Sequence, residues 1–169
     1  MDNIEIRRLL SSHLQTKSTF VGVFAADTLP RRPRPFKPCA YVVNTDVESG
    51  PGEHWVCIYF PKNGPVEYFD SYGCKPRRLH KKIMKNHRIV SSKIRLQSNL
   101  STTCGQHVIH YILKRCMGNS MTNILSIFNK KHLITNDQYV VNHVNRTFGT
   151  NTSILDKQFF RQQIHQVLM

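Results

Sequence analysis

The sequence predicts one α+β domain, a small sheet flanked by helices, on three observations. Apolar runs of strand length cluster between residues 39 and 96, stretches of helical period lie on both sides of them, and no internal repeat or low-complexity tract divides the chain. The 169 residues, 40% of them hydrophobic, suffice for one real core and are short for two, so residues 1–169 are taken as a single domain.

Each element follows from its residues. Residues 4–14, "IEIRRLLSSHL", put Ile6, Leu9, Leu10 and Leu14 on one stripe behind the possible caps Asp2 and Asn3, which predicts an N-terminal helix. The proline-rich "PRRPRPFKP" is a loop. "CAYVV" (39–43), "WVCIYF" (55–60), "VEYFD" (66–70) and "KIRL" (93–96) read as strands, and the second, apolar throughout, is central in the sheet. "PKNGP" between the second and third is a hairpin turn. After Cys104, Val108, Ile109, Ile112 and Cys116 recur at helical spacing until Gly118 stops the element. Further helices fit 122–129, 137–148 and 156–168.

Charge is the most unusual bulk property. A formal +14 comes from 24 Lys and Arg against 10 Asp and Glu, and thirteen of those 24 lie between Asp70 and Asp137, where no acid occurs. "RRPRPFK" contributes Arg31, Arg32 and Arg34; "KPRRLHKKIMKNHR" contributes Lys75, Arg77, Arg78, Lys81, Lys82, Lys85 and Arg88. Either run alone is an ordinary solvated face, but two runs without interspersed acids point to a polyanion, nucleic acid first. No stretch has the apolar length of a membrane span and the N-terminus lacks the order of a secretory signal, so a soluble intracellular or virion protein without membrane contact is expected. Five cysteines with no CxxC pair suit neither a disulfide framework nor a zinc ribbon. His107 and His110 without a second clear cysteine make an incomplete zinc set, and no metal is expected.

A free cysteine is usually a packing residue, and Cys57 and Cys116 fit that reading. Cys104 differs because it sits in the first turn of its helix, where unpaired N–H groups and the macrodipole stabilise a thiolate. Ser101, Thr102 and Thr103 supply caps, and Gly105 lets another backbone approach closely. A thiolate nucleophile needs a base, and the base an orienting group. His54 stands at the mouth of the central strand and Asp70 at the end of the next; if the two strands are antiparallel these ends meet at one sheet edge. Singly, His54 is an ordinary surface histidine and Asp70 a turn former. The conjunction with a helix-start thiol is what carries chemistry.

The blocks "EHWVCIYF", "EYFDSYG" and "QSNLSTTCGQHVIHYI" resemble the His-Trp, acid-x-x-Gly and Gln-(x6)-Cys-Gly blocks of the adenovirus-type cysteine endopeptidases, the adenain family, and the resemblance extends to "TFVGVFAADTLP" and "CAYVVNT". It implies a papain-like fold shared with the Ulp1-type enzymes. His54 is then the general base, Asp70 its orienting acid, Cys104 the nucleophile and Gln97 an oxyanion donor, with Trp55 the aromatic after the histidine. Asp70 departs from the usual Glu and matches the SUMO and ubiquitin-like deconjugating proteases; Thr103 before the cysteine and Gln97 seven positions upstream side with adenain. The implied function is a viral, monomeric endopeptidase that cleaves capsid and core precursors beside glycine, in the virion and at the nuclear or cytoplasmic site of assembly. DNA is its expected activator, joined by a viral peptide able to form a disulfide. No motif maps that disulfide, and Cys74, after a turn, is the thiol named for it. The alternatives are a deconjugating protease for ubiquitin-like proteins and a non-enzymatic basic DNA-binding virion protein.

Overall fold

The computed structural model describes residues 1–153, so the helix expected over 156–168 lies outside the described residues. The elements in chain order are α1 (Asn3–Ser12), β1 (Phe20–Phe24), β2 (Cys39–Asn44), β3 (Trp55–Phe60), β4 (Val66–Phe69), β5 (Ile89–Ser91), α2 (Cys104–Cys116), α3 (Met121–Ser126) and α4 (Leu133–Phe148), with a single 3-10 turn at His80–Lys82. The strands form one five-stranded sheet in sequence order. β2, β3 and β4 are antiparallel, while both outer pairs, β1 with β2 and β4 with β5, run parallel. The α+β architecture is the one the sequence predicts.

Why β3 is apolar throughout, and β2 apolar up to its last residue Asn44, is explained by what covers them. Alternate residues of a strand face opposite sides. Ala40, Val42, Cys57 and Tyr59 point into the core shared with α1, α2, α3 and α4. Their neighbours Cys39, Tyr41, Val43, Val56, Ile58 and Phe60 enter a second core closed by Ile83 and Met84. The densest basic run is therefore no plain solvated stretch. His80, Ile83 and Met84 bury against the sheet, while Lys75, Arg77, Arg78, Lys81, Lys82, Lys85 and Arg88 are exposed.

Five elements differ from the sequence expectation. Leu14 leaves the N-terminal stripe and is 77% exposed. The helix stops at Ser12 because the Thr16 hydroxyl donates to the Leu10 carbonyl at 2.7 Å and Thr16 N–H to His13, replacing the next helical turn with a tight one. β1 was not predicted, its "FVGVF" being short and broken by Gly22. "KIRL" joins no ladder and bends at Ile94: Leu96 and Gln97 N–H both donate to the Ser71 carbonyl, and the edge strand forms earlier, at Ile89–Ser91. The third and fourth helices begin earlier than expected, at Met121 and Leu133, the former because Ser120 caps it by accepting from Asn123 N–H at 3.1 Å. α2 ends as predicted, on Gly118 with φ of 87°.

Candidate active site

His54 immediately precedes β3 and Asp70 immediately follows β4, and the antiparallel register that sets Cys57 opposite Phe69 brings them together. His54 Nε2 lies 2.8 Å from Asp70 Oδ1. The carboxylate is itself fixed: Oδ1 accepts from Tyr72 N–H at 2.8 Å, and the Ser92 hydroxyl bridges the Asp70 backbone, accepting from its N–H and donating to its carbonyl, each at 2.9 Å. The Tyr72 ring packs on the imidazole at 4.7 Å between centroids. Gly73 turns the chain with φ of 72°, and a side chain there would meet the Ile94 backbone at 2.9 Å, so only glycine fits.

Cys104 opens α2 against this edge and hydrogen-bonds His54. With Nε2 engaged by Asp70, Nδ1 is the ring nitrogen left for the thiol. Burial pushes the Cys104 thiol up, but the hydrogen bond and charge of His54 and the N–H groups of Trp55 and Gly105 outweigh it and bring the thiol below its ordinary value. The imidazole answers in the opposite sense. Burial pulls His54 down, yet the hydrogen bonds it makes to Asp70 and Cys104 prevail and push it up to about 9. Opposed shifts in two touching groups describe a thiolate–imidazolium pair. The other four thiols, Cys39, Cys57, Cys74 and Cys116, are all raised, burial being the leading cause in each.

The pair sits in the wall of a cleft of about 850 Å³, bounded by residues 1–3, the 47–53 loop, Trp55 and Thr102. Trp55 holds that border by donating Nε1–H to the Met1 carbonyl at 3.3 Å. Gly105 does admit a close neighbour, but it is a side chain and not a backbone: an added Cβ would stand 3.1 Å from the Met1 sulfur. A second hollow of about 270 Å³ lies on the other side of His54 and Asp70, with Cys74 and Arg77 at its rim.

Other predicted positions fare unequally. Gln97 is 1% exposed; its Oε1 accepts from the Ser71 hydroxyl at 2.7 Å, and its amide donates to the Ser101 carbonyl at 3.1 Å, leaving a second amide hydrogen. Thr103 does not cap α2 with its side chain and donates instead to Asp137 Oδ1 at 2.8 Å. Arg34 is engaged by backbone, reaching the Pro38 carbonyl in its own loop and the Ser18 carbonyl ahead of β1. Arg77 pairs with Glu53 at 2.7 Å and donates to the Thr45 carbonyl. Neither is as free for a partner as their neighbours Arg31, Arg32, Arg78, Lys81 and Lys82, which are exposed. His107 and His110 do not share a site with Cys104: His107 pairs with Asp137, and His110 lies against His143. Among the described residues no group of three or more His, Cys, Asp and Glu could hold a metal ion. Sequence reasoning missed Ser92, Tyr72 and Asp137. Only Asp137 left a signal, as the first acid after the long acid-free stretch.

A helix-start thiolate beside an acid-oriented imidazole is the working arrangement of cysteine proteases. The chain is similar to viral proteins bearing that name. It is 33% identical over 108 residues to the cysteine protease S273R of African swine fever virus (a tick isolate from Malawi) and 32% identical to the SUMO-1 cysteine protease S273R of a pig isolate from Kenya. Each match covers 55% of this chain and 39% of the relative, so the chain spans about two fifths of the proteins it matches. Two crystal structures of the ASFV pS273R protease are 27% identical to it, with TM-scores of 0.49 and 0.44, covering 69% and 71% of this chain and 46% and 45% of theirs. No protein-family model matches the chain.

Proposed function

We propose that the chain is a thiol endopeptidase of viral type. The observation that carries this reading is that, of five thiols, only Cys104 is driven toward the thiolate, and it alone touches an imidazole held by a carboxylate. The thiolate attacks the scissile carbonyl. Charge then develops on the carbonyl oxygen, and the Cys104 N–H at the helix start and the spare Gln97 amide hydrogen are the donors assigned to it. His54 Nδ1–H protonates the departing amine, the C–N bond breaks, and the acyl-enzyme is hydrolysed by a water that His54 deprotonates.

The substrates are capsid and core precursors cut beside glycine during virion maturation, at the place of particle assembly. DNA is the proposed activator. In its favour, the two basic runs meet in space: Lys37 lies 5.6 Å over the Phe60 ring, and His87 packs on that ring at 5.4 Å. A peptide activator coupled through Cys74 has less support, because burial and the Asp70 charge push that thiol up. A second reading, deconjugation of a SUMO-like protein, is favoured by the name of one relative, the SUMO-1 cysteine protease S273R, and by Asp70 as the third residue.

The test is digestion of virion precursors and of SUMO-1 fusions, in parallel, by the wild-type chain and Cys104→Ala, with the products mapped by mass spectrometry. Internal cuts beside glycine in precursors alone support the first reading. Release at the SUMO C-terminus alone supports the second, and no Cys104-dependent cut in either set removes both.

A further inference from the structure

Behind the nucleophile lies a buried carboxylate that the chemistry above does not use. Asp137, on α4, has no exposed surface. Three donors converge on it: Ser98 N–H at 3.1 Å to Oδ2, and the Thr103 hydroxyl at 2.8 Å and His107 Nε2 at 2.9 Å to Oδ1. A buried carboxylate is tolerable when its lone pairs are met in this way. What distinguishes the cluster is where the donors come from. Ser98 follows Gln97, Thr103 precedes Cys104, and His107 closes the first turn of α2, donating its N–H to the Thr103 carbonyl at 3.0 Å.

The connections continue to the oxyanion side. The Ser101 and Thr103 hydroxyls are 3.0 Å apart, the Gln97 amide donates to the Ser101 carbonyl, and the Gln97 oxygen accepts from Ser71, the neighbour of Asp70. The adjacent Asn136 donates to the Leu96 carbonyl at 3.0 Å, so two successive residues of α4 grip the segment that carries Gln97. Both oxyanion donors of the proposed reaction, the Gln97 amide and the Cys104 N–H, thus hang on loop 98–103, and α4 pins that loop at each end.

We infer that Asp137 is a positioning residue that sets the spacing between the Gln97 amide and the Cys104 N–H, and so the stabilisation of the tetrahedral intermediate. This rests on the thiol-protease reading. The carboxylate touches neither substrate nor sulfur. It acts through the loop, and its loss should be felt when the oxyanion forms more than when substrate binds. An asparagine of the same size meets three donors with one acceptor and an NH₂ group, so at least one staple must open.

The experiment uses the full chain, a short peptide aldehyde ending in glycinal, and the matching fluorogenic amide. Asp137→Asn should lower kcat by about 10²-fold, within the range seen on losing one oxyanion donor, and leave KM within about threefold. Aldehyde affinity, which depends on the same hole, should fall in proportion to kcat. Thr103→Val, which removes one staple and keeps the charge, should give a smaller loss with the same signature, and Thr103→Ser should restore both values. Thr103→Val also serves if Asp137→Asn does not fold. Wild-type-like kcat in the folded variants, a loss confined to KM, or a fall in kcat without a fall in aldehyde affinity overturns the inference. Iodoacetamide labelling separates the layers: selective labelling of Cys104 in the wild type at neutral pH stands with the protease reading whatever Asp137 does, and uniform slow labelling of all five cysteines overturns that reading and this inference together.

Discussion

At position 54 a single ring is pulled in two directions, and the balance predicts a pH profile. The attacking group must be a thiolate and the leaving amine must find a protonated imidazole. Activity should rise through the lowered Cys104 value and fall as His54 loses its proton near 9. Asp70→Asn removes a partner that raises the imidazole and leaves burial to pull it down, so the alkaline limb of kcat/KM should move to lower pH. A limb that stays in place would show that Asp70 does not hold the ring. His54→Ala and Cys104→Ala should each abolish turnover, because the two act as one unit, whereas Cys57→Ala should lower only stability. These residues were legible in the sequence for a simple reason: each stands at the end of an element, where a polar group has no packing role. Ser92 and Asp137 were not, since a lone serine or aspartate gains meaning only from the backbone that tertiary closure brings against it.

Elements were legible in proportion to their periodicity. β3 is sandwiched between two cores, and its unbroken apolar run says so; β1 and β5 are outer strands of few residues, and nothing in "FVGVF" or "RIVS" separates them from loop. The energetic counterpart can be measured. Ile58 is fully buried in the middle of β3, so Ile58→Ala should cost about 2–5 kcal/mol in urea unfolding, with the denaturant slope unchanged. Val90, 36% exposed on the outer β5, should cost about 0.5 kcal/mol or less on the same change. Equal costs would mean that the second core, under Ile83 and Met84, does not form as described.

For the whole molecule, the placement of charge matters more than its sum. Duplex DNA should bind without regard to sequence, with affinity falling steeply in salt by a slope of about 0.9 per phosphate neutralised. Arg78, Lys81, Lys82 and Lys85 changed together to Ala should flatten that slope and remove any stimulation of cleavage. Arg77→Ala should matter less to the slope, because that guanidinium already holds Glu53. An unchanged slope in the fourfold variant would move the polyanion site elsewhere. The sequence could count these charges but not their neighbours, which is why Arg34 and Arg77 could not be told from the rest. The staple between Thr103 and Asp137 joins residues 34 apart in the chain. At the usual 5–20 residues per second of synthesis, the ribosome delivers the nucleophile about 2–7 s before the helix that braces it. If Asp137 positions the oxyanion donors as inferred, a nascent chain carries its thiol, its base and its acid without a settled oxyanion pocket until α4 has emerged and docked.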